Sequence, residues 1–530
     1  MEYDLIIRNG IILDGTGSPP FRADIGIRGD TITRIGDLSG AKAERVIDAS
    51  GLYVAPGFID IHNHSDVSLL AIPTADNYVL QGVTTLVVGN CGSSPAPLSE
   101  ENKELIERYQ ALYPEVNINW KDFGEYLERL DSTPKKVNVA TLVGFGAVRS
   151  SVLGFEDVKP SERQLEEMKQ AVEEAMRAGA FGLSTGLIYT PQNYADTYEI
   201  IELCRVVAQY GGIYATHMRN EGIKLLDSIT EAVKIGLESG CPVEVSHLKA
   251  VGKPAWGLVR RALQLIEYYV SLGYDASADA YPYTATSTSL SILLPPHMRE
   301  GGVSKLVERL TEIESLSRLR REMEEAWKST GRIIGWDQVV IALSMTHPEA
   351  EGKSIEELAK EWGVDPVEAI VRLLVDDKGQ TTAIYHTLHE GDVIDAISSP
   401  FVAIGSDGSV QRYGKGRPHP RSYGTFPRVI ARYVKELKTI SLPEAIRKMT
   451  SLPARKLRLW DRGLIRPGMK ADIVVFDYYY IRDTATFENP HSYPKGIEYV
   501  VVNGAVAVEE GRLTRVMSGR LLRRNSMRAA

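Results

Sequence analysis

Eight short apolar runs recur between residues 56 and 406, each followed by a longer stretch that reads as helix or loop. They lie near 56–61, 84–89, 138–144, 181–185, 212–217, 242–247, 277–282 and 401–406. Strands that alternate with helices run parallel, because each helix returns the chain to the edge it left. Eight such units close a parallel sheet on itself, so the expected core is an α/β fold, a (β/α)8 TIM-like barrel. One connecting helix shows its logic. Ser161 caps it with Gln164 three residues on, and Leu165, Met168, Val172, Ala175 and Met176 form one apolar stripe that Gly179 can end.

Both ends of the chain read differently. Residues 5–8 and 11–13 flank Asn9-Gly10, a two-residue hairpin signal, and Gly29-Asp30 turns the chain again. The same short-strand pattern returns at 471–477, 498–502 and 505–508, with Asn503-Gly504 as a turn. The expected organisation is therefore a small discontinuous β-sandwich built from residues 1–55 and 456–530, around a barrel of residues 56–455. The connection between the seventh and eighth strands is far longer than usual. It predicts an insertion at about 290–390 that serves as a lid over the barrel mouth.

Charge and composition exclude several classes. A net charge of −8 without a basic block argues against a nucleic-acid partner or an anionic membrane surface. The longest uncharged stretch, 178–195, is rich in Gly, Ser, Thr, Gln and Asn and cannot span a bilayer. Glu2 and Asp4 interrupt any signal-peptide pattern, and three cysteines, Cys91, Cys204 and Cys241, make no disulfide framework. A cytoplasmic location is expected. Nothing in the pattern sets an oligomeric state.

In barrels of this kind the reacting groups gather at the C-terminal ends of the strands. The first strand ends in His62-Asn63-His64, whose alternate side chains share a face and can reach one metal ion. The second runs into Asn90-Cys91-Gly92, where Cys91 reads either as a small buried residue or as a thiolate ligand. Cys204 and Cys241 read as structural. The fifth and sixth strands each deliver one histidine, His217 and His247, and Lys249 falls on the same face as His247 by the period of two. Asp279-Ala280-Tyr281-Pro282-Tyr283 reads as aromatic packing, and the eighth strand ends in Ser406-Asp407-Gly408. Each of these is weak alone. Of ten histidines, however, four fall at expected strand ends, joined by Cys91 and Asp407, and that ordered set points to a metal site.

These stretches resemble the amidohydrolase superfamily. Gly57 to His64, the later single histidines, Asp407 and the return Gly463 to Val475 carry the likeness. Within it the chain is most similar to the N-acyl-D-amino-acid deacylases, through Gly89-Asn90-Cys91-Gly92, Thr216-His217-Met218-Arg219, Ser246-His247-Leu248-Lys249, Tyr281-Pro282-Tyr283 and His419 to Phe426. The resemblance implies one tightly bound Zn²⁺ on Cys91, His217 and His247. It also implies a second, weaker position on His62 and His64 that shares Cys91. Hydantoinases and dihydroorotases carry a carbamylated lysine at the end of strand four. Here that segment, Phe181 to Gly186, has no lysine, and the Cys91 thiolate is the natural replacement. Asp407, itself counted with the metal ligands, would act as the acid/base, and the substrate would be a small N-acyl amino acid. Lys249 and Arg421 would hold its carboxylate, helped by Tyr281 and Ser287. The alternatives are hydrolysis of a cyclic amide or a dipeptide, or a non-catalytic scaffold, although scaffolds of this kind lose metal ligands that this chain keeps.

Overall fold

The computed structural model describes residues 2–332 and 334–524. Eight parallel strands follow one another around a ring: Phe58–Asp60 (β1), Val83–Val88 (β2), Asn138–Thr141 continuing as Val143–Gly144 (β3), Gly182–Gly186 (β4), Ile213–His217 (β5), Val243–Val245 (β6), Ala276–Ala280 (β7) and Val402–Ile404 (β8). A parallel bridge between Asn63 and Gly408 joins the first strand to the last. There Asp407 N donates to His62 O and His64 N to Gly408 O, both at 2.8 Å. Closure of the ring therefore brings the ends of β1 and β8 together.

Alternation along the strands sorts side chains to two cores. Ile213 and Ala215 of β5 join Ile59, Val87, Ala140 and Phe181 in one apolar cluster closed by Ala454, Leu457 and Leu459, whereas Tyr214 packs in the cluster shared with the surrounding helices. His217 has the parity of Ile213 and Ala215. The helix expected after Ser161 runs Glu162–Ala178 with both arms of its capping box formed, and Gly179 ends it at φ 115°.

The two ends of the chain meet in one nine-stranded sheet. Its order is Arg512–Leu513, Ala505–Glu509, Ile497–Val502, Ile473–Phe476, Tyr53–Pro56, Tyr3–Ile12, Phe21–Arg28 and Thr31–Gly36, with Ala43–Asp48 also beside Tyr3–Ile12. The sheet wraps a core that includes Ile7, Ile25, Val54, Ile473 and Val501. Asn503-Gly504 forms the expected two-residue turn, with Val502 opposite Ala505. Asn9-Gly10 does not: it lies inside the single strand Tyr3–Ile12, where the pairing with Phe21–Arg28 shifts register. Asn9 takes a left-handed φ of 61° there, as a bulge requires. Its amide donates to Asp24 Oδ1 at 2.8 Å and its side chain to Asp48 Oδ1 at 2.9 Å. The bulge lets the two halves of the strand pair with different neighbours, Ala43–Asp48 and then Tyr53–Val54, which a hairpin would forbid.

Between β7 and β8 stands a separate unit. An antiparallel sheet of Thr286–Ser289, Thr382–Tyr385 and Val339–Leu343 packs with helices including Gly302–Thr311, Leu316–Thr330, Ile355–Trp362 and Pro366–Asp376. Met323, Ile341, Leu358, Ile370 and Leu373 belong to its own buried core. Thr288, Ser289, Ile292 and Trp327 from this unit line the cavity at the barrel mouth.

Candidate active site

Six of the expected residues converge at the C-terminal ends of the strands. The potential ligand atoms of His62, His64, Cys91 and Asp407 lie within 4.8 Å of one another, as do those of Cys91, His217 and His247. Cys91 is common to both groups. Its Sγ is 3.4 Å from His62 Nε2 and 3.3 Å from His247 Nε2. Asp407 Oδ1 is 3.0 Å from His64 Nε2 and 3.5 Å from His62 Nε2.

Local backbone explains how short strands aim so many donors at one point. Cys91, His247 and Asp407 all have left-handed φ, at 54°, 38° and 51°. Residues other than glycine seldom adopt it, and here it falls two or three residues past the ends of β2, β6 and β8, at the three residues that join the cluster. Gly89 is similarly left-handed, and a Cβ there would run into Leu142 O, so the turn leading to Cys91 needs glycine. β6 stops at Val245, two residues short of the expected end. Lys249 thus reaches His247 through this turn rather than by strand alternation.

Local charges hold the thiol and the acid of this cluster in their ionised forms. Burial opposes ionisation of Cys91, but the charges of His247 and His62 beside it hold its thiol well below the ordinary value. Burial also pushes Asp407 up, yet the Arg421 and His247 charges keep its carboxyl well below the usual range. His217 is 5% exposed, and among the described residues neither of its ring nitrogens makes a hydrogen bond. A buried imidazole that makes no hydrogen bond costs free energy that a metal ion would recover, and Glu221 Oε2 at 3.4 Å from Nε2 is too poorly placed to supply one. A thiolate with imidazoles and a carboxylate suits Zn²⁺, so the residues present fit that ion.

The four expected substrate residues also border this cluster. Arg421 Nη1 donates to Asp407 Oδ2 at 2.7 Å and Nη2 to Ser287 O at 3.2 Å. Lys249 Nζ donates to Glu221 Oε1 at 2.7 Å and lies 2.7 Å from His247 Nδ1. The Tyr281 ring sits 4.9 Å from the Arg421 guanidinium and 5.8 Å from Lys249 Nζ, and among the described residues its buried hydroxyl meets the hydrogen-bond geometry with no other group. Lys249, Ser287 and Arg421 line the same cavity, of about 1050 Å³, as His64, Cys91, His217, His247 and Asp407.

Two acids escaped sequence reasoning. Glu221, buried, lies 3.4 Å from His217 Nε2 and 3.2 Å from His247 Nδ1, and so faces two histidines and Lys249 at once. Its only signal was a position four residues past His217. Asp279, read above as part of an aromatic stretch, has Oδ2 3.2 Å from His62 Nδ1 and accepts the His247 amide at Oδ1. An acid in a strand otherwise made of Ala and Ser was the clue.

A closed parallel barrel with a histidine–thiolate–carboxylate cluster at its C-terminal rim defines a class, the barrel hydrolases of the amidohydrolase type. The model of the Amidohydrolase family matches residues 45–508. D-aminoacylase of Alcaligenes xylosoxydans xylosoxydans is 38% identical over 524 residues, 99% of this chain and 98% of that one. A solved D-aminoacylase, described as having a binuclear metal centre with one-metal activation and second-metal attenuation, superposes with a TM-score of 0.84 at 36% identity, covering 98% of this chain and all of the other. N-acyl-D-glutamate deacylase from Bordetella bronchiseptica, complexed with zinc and a phosphonate mimic of the tetrahedral intermediate, gives 0.83 at 34% identity over 99% of this chain and 100% of that one. The chain belongs to the amidohydrolase family and, within it, to the D-aminoacylases. Among the described residues no helix is long and apolar enough to cross a membrane.

Proposed function

We propose that this chain hydrolyses the amide bond of N-acyl-D-amino acids, giving a carboxylate and a free D-amino acid. The observation that carries the reading is the pairing of Asp407 with Arg421 at 2.7 Å beside the Cys91–histidine cluster. It puts a proton acceptor and a carboxylate-binding cation at one point. Cys91, His217 and His247 would hold a tightly bound Zn²⁺, and His62 and His64, with Cys91 and Asp407, a second, weaker position. When bound, the ion polarises the amide carbonyl and lowers the pKa of a water toward about 7.

Asp407 is the acid/base. Its Oδ1 accepts the proton of the attacking water and returns it to the leaving nitrogen, while His64 at 3.0 Å fixes the carboxylate's direction. Arg421 offers a planar fork to the substrate α-carboxylate and Lys249 a compact charge. Tyr281, between them with a free hydroxyl, adds a donor, and Ser287 borders the same space. Fixing the carboxylate and the carbonyl at two points leaves one direction for the side chain, which selects the hand. The test is a hydrolysis screen of N-acetyl-D- and N-acetyl-L-amino acids, with metal analysis of the same sample. Turnover confined to D substrates with zinc present is expected. Turnover of a hydantoin or a dipeptide, with none of the acyl-D-amino acids, would overturn the reading.

A further inference from the structure

One histidine outside the metal cluster is buried as deeply as those within it. His419, two residues before Arg421, is 4% exposed. Both of its ring nitrogens are engaged. Nδ1 accepts the Arg421 amide at 3.0 Å, and Nε2 faces Ala285 O, also at 3.0 Å. An amide N–H can only donate and a carbonyl oxygen can only accept, so the ring is the neutral tautomer with its proton on Nε2. Burial and the neighbouring Arg421 charge both hold this imidazole well below its ordinary pKa. Its two hydrogen bonds tie one stretch of backbone to another.

The two stretches are the walls that hold Arg421. Ala285 leads into the strand Thr286–Ser289, and Ser287 O on that strand accepts Arg421 Nη2 at 3.2 Å. His419 thus joins the root of the Arg421 side chain to the strand that holds its far end. A long side chain fixed at both ends gives up less freedom when a ligand arrives, and that favours binding. The His419 ring is itself wedged, with Tyr283 edge-on at 5.2 Å and Phe487 edge-on at 5.0 Å. Phe487 belongs to the terminal sheet's own connection, between Ile473–Phe476 and Ile497–Val502. The same connection grips the helix Arg421–Arg428 twice more. Arg428 Nη1 donates to Asp483 Oδ2 at 2.9 Å, and the Tyr423 hydroxyl lies 2.8 Å from His491 Nδ1.

We propose that His419 is a positioning residue that sets Arg421 against the substrate α-carboxylate, with its ring held by Phe487 of the terminal sheet, an inference that rests on the deacylase reading above. N-acetyl-D-leucine and N-acetyl-D-leucinamide differ only in the carboxylate that Arg421 would meet. With zinc content unchanged, His419→Ala is expected to raise KM for the acid at least about tenfold, leaving its kcat within about threefold. For the leucinamide, kcat/KM should stay within about threefold. Phe487→Ala should raise the same KM, less strongly. His419→Asn, whose Oδ1 can stand in for Nδ1 and accept the Arg421 amide, should restore most of the affinity. His419→Gln, whose amide can stand in for Nε2 and donate to Ala285 O, should restore less. Added to Arg421→Ala, the His419→Ala change should cost nothing further, because it acts through that arginine. Equal losses on acid and leucinamide, an asparagine variant no better than alanine, or additive losses in the double variant overturn the inference. An unchanged KM in Phe487→Ala overturns the terminal sheet's part in it. Failure of the parent protein to hydrolyse any N-acyl-D-amino acid would instead overturn the deacylase reading. Calorimetric binding of N-acetyl-D-leucine to the zinc-loaded parent, weakened by His419→Ala while leucinamide binding is not, would then leave the positioning role standing.

Discussion

At the scale of single residues, the site is built where the backbone is least comfortable. Left-handed φ at Cys91, His247 and Asp407 costs on the order of 1–3 kcal/mol each, and the surrounding barrel holds it. Such strain is kept because these three side chains have to leave their strands at an angle the extended backbone cannot give. If the Cys91 thiolate joins His217 and His247 as a ligand, Cys91→Ala should lose zinc and activity together while far-UV circular dichroism stays unchanged. Cys204→Ala, fully buried on the helix Thr197–Gln209, should keep both. Full zinc content in the Cys91 variant would remove the thiolate from the ligand set. Asp407 has a different task. Asp407→Asn keeps the shape of the side chain but cannot accept a proton, so kcat should fall by at least about 10² with zinc retained on the other ligands. A near-normal rate at neutral pH would rule that role out.

Single elements show which patterns survive folding. The capped helix Glu162–Ala178 needs only local chemistry and follows the sequence closely. Strand ends do not: β6 and β8 end at Val245 and Ile404, before the polar residues that seemed to continue them. The insertion between β7 and β8 is an element of another sort, a unit with its own core and a wall facing the cavity. Its packing can therefore be loosened without touching the metal cluster. Leu373 is fully buried in that core, and Leu373→Ala should cost about 2–5 kcal/mol. The expected result is a changed ranking of acyl and side-chain preferences with zinc stoichiometry intact. An unchanged ranking would mean that the insertion is structural only.

For the whole molecule, the long distance in sequence between the two ends is closed by charge as well as by strand pairing. Asp30 accepts from Lys470 Nζ at 2.9 Å and from Arg520 Nη1 at 2.6 Å, tying the start of the chain to its last 60 or so residues. The Lys470 hydrogen bond is the main cause that holds its carboxyl below the ordinary 3.8, against a modest opposing effect of burial. A carboxyl depressed in the folded state gives stability that is present above its unfolded pKa and is lost as pH falls through the folded one. Asp30→Asn should therefore lower stability by ~1 kcal/mol near pH 7, a difference that shrinks below about pH 4. Parallel denaturant titrations of the two proteins across that range check it. A difference that stays constant as pH falls from about 7 to about 2 would show that the pair does not act through charge.

The sequence by itself determined the eightfold strand–helix rhythm, the terminal sheet segments, and the identities of His62, His64, Cys91, His217, His247 and Asp407 as a set, because periodicity and rare polar residues at strand ends are local properties. It misled at Asn9-Gly10, where a turn dipeptide became a bulge between the halves of one strand that pair with different neighbours. Only the tertiary structure decided what each charge faces. Glu221 gathers Lys249, His217 and His247, Asp279 backs His62, and Arg421 meets Asp407, although β8 and the helix Arg421–Arg428 are separated by a loop of no regular pattern. Glu221 and Lys249 follow different strands, Asp279 and His62 lie on or just past two others, and these pairs approach only when the ring closes. Coulomb energy depends on distance in space, and spacing along the chain carries almost none of it.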